Sequence, residues 1–115
     1  SVNIPATPET KGMIGYDLLS KMPKGGCLIN TARKEIICEE GLDKALAERA
    51  DLKYATDIAP VAYAELKEKY AKQIFATPKK QGAETAEANI NAGLAAASQI
   101  VNYFATGCTK FQVNK

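Results

Sequence analysis

Short apolar segments that alternate with helix-spaced patterns constrain this chain more than any other feature. Four such segments recur: Ser1 to Ile4 running into Pro5, Cys27-Leu28-Ile29-Asn30, Lys53 to Ile58, and Gln73 to Thr77. Each is too short for a stable helix and apolar enough to be a strand buried in a sheet. The stretches between them have helical spacing. Met13 to Met22 places Ile14 and Leu18 on one face, beside Leu19 and Met22. Glu39 to Arg49 carries Leu42, Ala45 and Leu46 on one stripe. Pro60 can open a helix whose buried face is Tyr63, Leu66 and Tyr70. The longest helix is expected over Thr85 to Thr106, with Ala86, Ile90, Leu94, Ala97, Val101 and Phe104 spaced by threes and fours and Gly107 as its stop. Pro23-Lys24-Gly25-Gly26 reads as a turn, and Phe111-Gln112-Val113 can form a final edge strand. Strand and helix in alternation predict an α/β fold: a parallel sheet with helices on both faces.

Composition narrows the chemistry. With 46% hydrophobic and 24% charged residues, the 115-residue chain is an ordinary globular one with a modest core. A net charge of +2 with acids and bases interleaved argues against a nucleic-acid surface. No apolar run approaches the roughly 18 residues of a membrane span, and no signal-peptide layout opens the chain. Cys27, Cys38 and Cys108 are an odd number without CxxC spacing, and they read as reduced thiols of a cytoplasmic protein. The absence of histidine excludes, within this chain, any nucleophile that needs a His base and the familiar His-built zinc sites; no metal site is expected.

Three segments carry a resemblance: N-I-P-A-T-P-E-T-K-G-M-I at 3–14, G-G-C-L-I-N-T-A-R at 25–33 and T-P-K-K-Q-G-A-E-T-A-E-A at 77–88, with Y-A-T-D-I between the last two. Together, and in this order, they resemble the D-2-hydroxyacid dehydrogenase family over essentially the whole chain. The resemblance implies the second half of a Rossmann-type parallel sheet over residues 1–84. Over 85–115 it implies a long helix and tail returning toward a substrate domain. The implied cofactor is NAD and the implied substrate a small 2-hydroxy or 2-oxo acid. The pair 3-phosphoglycerate/3-phosphohydroxypyruvate leads; glycerate, lactate and hydroxypyruvate are the alternatives, as is a half-domain without catalysis. The family's GxGxxG and its ribose-binding acid are not in this sequence. The chain is therefore expected to be inactive alone, to begin where the second half of the sheet begins, and to partner a complementary N-terminal half or a second copy of itself.

The resemblance also assigns residues. Arg33 matches the family arginine, whose planar fork can hold a carboxylate in two hydrogen bonds; the alternative is a surface arginine in a solvated loop. Asp57 matches the aspartate that hydrogen-bonds the nicotinamide carboxamide; the alternative is an N-cap for the helix after Pro60. Ile4, Pro5, Thr31, Ala32, Gly82 and Ala83, with Arg33, resemble contacts along the nicotinamide side of the cofactor. At the acid/base pair the sequence departs from the family. The Glu expected five residues after the aspartate is Ala62, and the His expected after Thr77-Pro78 is replaced in Lys79-Lys80. A carboxylate helps a His base by orienting it, but it makes a lysine cling to its proton, so both changes suit a lysine-based site. Counting from Pro78 puts Lys79 at the His position, and this count is preferred; counting back from Gly82-Ala83 puts Lys80 there. The alternative is a solvated lysine pair with no role in catalysis.

Overall fold

The strands β1 (Cys27–Asn30), β2 (Lys53–Thr56) and β3 (Ile74–Ala76) pair in parallel in the order β1–β2–β3. They lie within the expected apolar segments. Parallel neighbours need a crossover. A 3-10 turn (Lys34–Ile36) and helix α2 (Glu39–Glu48) carry the chain from β1 to β2, and helix α3 (Tyr63–Lys69) carries it from β2 to β3. Helix α1 (Tyr16–Ser20) precedes β1, and helix α4 (Ala86–Thr106) follows β3. This computed structural model describes residues 1–80 and 84–114, and it divides into two units, Ser1–Lys80 and Gln81–Lys115.

In the first unit the sheet has a dry face and an open one. Asn30, Tyr54, Thr56 and Ile74 are buried on one side, joining Ile36, Leu42, Ala45, Leu46, Leu52 and Leu66. Residues one position along each strand point the other way. Ile29 is 44% exposed and Phe75 61%, and Cys27 and Lys53 are exposed too. The expected double cover is thus present on one side only within this unit. Arg49 and Gln73 hold the end of α2 in place. Arg49 donates to the carbonyls of Ser20, Met22 and Pro23 and pairs with Asp51 at 2.6 Å. Gln73 Nε2 lies within 3.2 Å of the carbonyls of Leu46, Arg49 and Leu52.

Four local expectations change in the structure. The first strand shrinks to a single parallel bridge, Val2 with Asn30, anchored by the Val2 N–H on the Ile29 carbonyl at 2.9 Å. The helix expected from Met13 begins only at Tyr16. Ile14 is used as extended backbone against Ile37, donating to the Ile36 carbonyl and accepting from the Cys38 N–H, so it has nothing left for a helix. Helix α3 starts at Tyr63, after a turn closed by the Tyr63 N–H on the Pro60 carbonyl. Phe111 to Val113 form no strand.

In the second unit α4 has the expected ends. The Thr85 hydroxyl accepts from the Ala88 N–H at 3.0 Å, and Gly107 adopts φ +66°, a left-handed stop that costs a glycine little. No residue of α4 is buried, and its apolar stripe of Ile90, Leu94, Val101 and Phe104 is exposed.

Candidate functional site

All strands of a parallel sheet end on the same side, so the segments that leave them converge there. Four segments do so here: Ile4 to Ala6 after the Val2 bridge, Thr31 to Arg33 after β1, Asp57 after β2, and the chain from Thr77 to Lys80 after β3. Three of them, the ones after Val2, β1 and β3, frame a cleft of roughly 390 Å³ lined by Ile4, Pro5, Ala6, Thr31, Ala32, Arg33 and Lys80. Five of the expected cofactor-side residues, Ile4, Pro5, Thr31, Ala32 and Arg33, are brought together on its wall. Lys80, half-buried, shares that wall, whereas Lys79 is exposed and is not part of it. Gly82 and Ala83 lie outside the described residues. Asp57 sits at the end of the neighbouring strand and does not line the cleft.

The turn that presents Arg33 is built from its own backbone. Asn30, 1% exposed, accepts from the Ala32 N–H through Oδ1 at 3.1 Å and donates through Nδ2 to the Arg33 carbonyl at 3.0 Å. The Arg33 side chain is exposed, and one Nη1 contact to the Ala32 carbonyl at 3.3 Å leaves most of its fork of donors available to an anion. The Asp57 turn rests on Thr56. Its hydroxyl oxygen accepts from the Ile58 N–H at 3.1 Å and lies 2.7 Å from the Asn30 carbonyl, to which it can donate.

Asp57 makes no capping hydrogen bond to α3 among the described residues, and the N–H groups of Val61 and Ala62 just ahead of that helix go to Glu39, whose carboxylate oxygens accept them at 2.7 and 3.1 Å. Asp57 Oδ1 is instead buried with no hydrogen-bond partner among the described residues. Such an oxygen costs about 1–3 kcal/mol unless something donates to it. An amide N–H of the nicotinamide carboxamide is such a donor. The apolar and small residues Ile4, Pro5 and Ala32 offer the flat contact that a ring needs. On these two counts the site fits the nicotinamide end of NAD.

Nearby Tyr54, buried under the sheet ends, has its phenol pushed up from the ordinary range, chiefly by burial. It contributes a neutral hydroxyl, 3.5 Å from Asn30 Nδ2, rather than a charge. Asn30 and Thr56 lie within the matched segments without being assigned a role there, and Glu39 lies outside them. The polar Asn30 closing an otherwise apolar strand was the one visible signal. Among the described residues no group of three or more Cys, Asp or Glu could hold a metal ion, and no helix is long and apolar enough to cross a membrane.

The fold and the cleft together are those of a nucleotide-binding α/β domain. The model of the family "D-isomer specific 2-hydroxyacid dehydrogenase, NAD binding domain" matches residues 1–89, and this chain belongs to that family. Among individual proteins, it is similar to D-3-phosphoglycerate dehydrogenase of Haemophilus influenzae, with 30% identity over 99% of this chain and 29% of that protein. The enzyme of the same name from Escherichia coli K12 is 31% identical over the same shares. The crystal structure of NAD+-bound 3-phosphoglycerate dehydrogenase from Entamoeba histolytica is 57% identical, with a TM-score of 0.83 over 98% of this chain and 37% of that one. The chain thus spans about a third of the length of these relatives.

Proposed function

We propose that this chain is the C-terminal part of an NAD-dependent D-2-hydroxyacid dehydrogenase whose substrate pair is 3-phosphoglycerate and 3-phosphohydroxypyruvate. One observation carries it: Arg33 and Lys80, an anion anchor and a proton carrier, stand on one cleft at the ends of parallel strands. The names of the most similar relatives support the phosphorylated substrate. NAD, when bound, supplies or takes up the hydride at C2. Arg33 binds the substrate carboxylate in two hydrogen bonds and so fixes C2. Lys80 as ammonium gives a proton to the C2 oxygen in reduction, and as neutral amine it takes the hydroxyl proton in oxidation. Asp57 accepts from the carboxamide, while Ile4, Pro5, Thr31 and Ala32 line the ring. Lys80 is assigned this role over Lys79 because only Lys80 lines the cleft. Three free cysteines suit a reducing, cytoplasmic setting.

The test uses the full-length protein that contains this segment. NADH oxidation is followed with 3-phosphohydroxypyruvate and, separately, with hydroxypyruvate, pyruvate and glyoxylate. Arg33→Ala and Lys80→Ala should each lower kcat/KM by about 100-fold or more, and Lys79→Ala by less than about threefold. Preference for an unphosphorylated acid would replace the substrate assignment. A Lys79→Ala loss larger than that of Lys80→Ala would reverse the choice of lysine. Full turnover in Arg33→Ala would remove the mechanism.

A further inference from the structure

The Asn30 side chain, at the end of β1, is buried and only 1% exposed. A primary amide in such a place costs several kcal/mol unless its atoms are paired. Here both ends are used. Oδ1 takes the Ala32 N–H, and Nδ2 gives to the Arg33 carbonyl. The orientation of the amide follows: turned over, Oδ1 would face the Arg33 carbonyl oxygen and Nδ2 the Ala32 N–H, two repulsive pairs. One side chain therefore clamps the turn that carries Arg33 at two successive residues. The Asn30 main chain extends the link. Its carbonyl meets the Thr56 hydroxyl at 2.7 Å, and that hydroxyl holds the Ile58 N–H just beyond Asp57. Two loops that leave different strands are thus joined through two buried polar residues.

From this geometry we infer that Asn30 is a positioning residue: with Thr56 it sets Arg33 in register with Asp57, and so the substrate carboxylate in register with the nicotinamide. The inference rests on the roles proposed above for Arg33 and Asp57. Asn30 itself touches neither ligand. Its effect reaches the reaction only through Arg33, which separates it from a residue that merely supports the fold. A displacement of about 1 Å in such an anchor is enough to cost on the order of 100-fold in rate.

The experiment is again on the full-length protein, with NADH affinity read by fluorescence titration and 3-phosphohydroxypyruvate kinetics at saturating NADH. Asn30→Asp keeps the shape, removes the donor and sets an oxygen against the Arg33 carbonyl. It should raise KM for the oxo acid and lower kcat/KM by about 10- to 100-fold, with NADH affinity within about twofold of the parent. Placed on Arg33→Ala, the same change should cost less than about twofold more, because the anchor it positions is already gone. Thr56→Val should weaken both ligands, and Thr56→Ser should restore both. Effects of Asn30→Asp and Arg33→Ala that multiply in the double variant would overturn the inference, as would unchanged kinetics. Loss of the fold in both Asn30→Asp and Thr56→Val would assign the pair to stability alone and overturn it too. If Arg33→Ala by itself leaves turnover intact, it is the proposed function that fails, and that single variant shows it.

Discussion

At the residue scale, the clearest case is Asp57. As a letter at the end of an apolar segment it can equally well cap the next helix or wait for a ligand. In the fold Glu39 arrives from α2 to take the N–H groups of Val61 and Ala62 just ahead of α3. What remains is an Asp57 oxygen that is buried without a donor among the described residues. Groups held in this way are retained for function at a cost to stability. Asp57→Ala should therefore leave the thermal midpoint of the ligand-free full-length protein unchanged or raise it, while NADH binds about tenfold more weakly. A drop in both quantities, measured by thermal melts and NADH titration, would return Asp57 to a structural role. Arg33 was legible from its motif, since Asn30-Thr31-Ala32 precede it. The choice between Lys79 and Lys80 was not legible, because two ways of counting across one loop disagree and only the cleft distinguishes the side chains.

The elements depend on two close contacts that sequence spacing does not reveal. One is Gly41, where α2 meets the start of α1. A Cβ there would stand 2.5 Å from the Tyr16 nitrogen and 3.0 Å from the Gly15 Cα, both backbone atoms that cannot swing away. Gly41→Ala raises helix propensity yet should destabilise by about 1–3 kcal/mol or more, read as a fall in the denaturant midpoint; a gain in stability would mean that the two helices can separate freely. The other contact is Asp51. The Arg49 guanidinium and, second, the Gly25 N–H hold its carboxyl at about 2, well below the ordinary 3.8. A carboxyl lowered on folding adds stability that is fully present above its unfolded value and is lost as pH falls through the folded one. Its contribution should accordingly fade between about pH 4 and 2. Asp51→Asn should flatten the acid limb of a stability-against-pH curve in that window and leave it unchanged at neutral pH apart from a constant offset.

On the scale of the whole molecule, the open side of the sheet stands out. Parallel sheets bury both faces, because their crossovers cover them. In the first unit one face keeps Ile29 and Phe75 exposed, and in the second the apolar stripe of α4 is exposed along its length. Uncovered apolar surfaces of this kind drive association. Residues 1–115 expressed alone should therefore form dimers or larger species in sedimentation at micromolar concentration. Ile29→Lys with Phe75→Lys should shift them toward monomer without loss of helical signal. A monodisperse monomer with cooperative unfolding would show that these surfaces are covered within the chain.

The apolar segments and their spacing were enough, by themselves, to determine β1, β2 and β3, the helix α2 and both ends of α4. Burial periodicity and the cap chemistry of Thr85 and Gly107 are local properties written in consecutive residues. Local patterns also marked Arg33. Tertiary structure alone decided that Ile14 would pair as a bridge instead of starting a helix, since its partners Ile36 to Cys38 lie more than twenty residues away. It alone decided that Glu39 would take the N–H groups of Val61 and Ala62 ahead of α3, and that Lys80 and not Lys79 would line the cleft. The Ile14 and Glu39 outcomes depend on which distant donor or acceptor comes within about 3 Å once the strands are aligned, a distance that no run of neighbouring residues encodes.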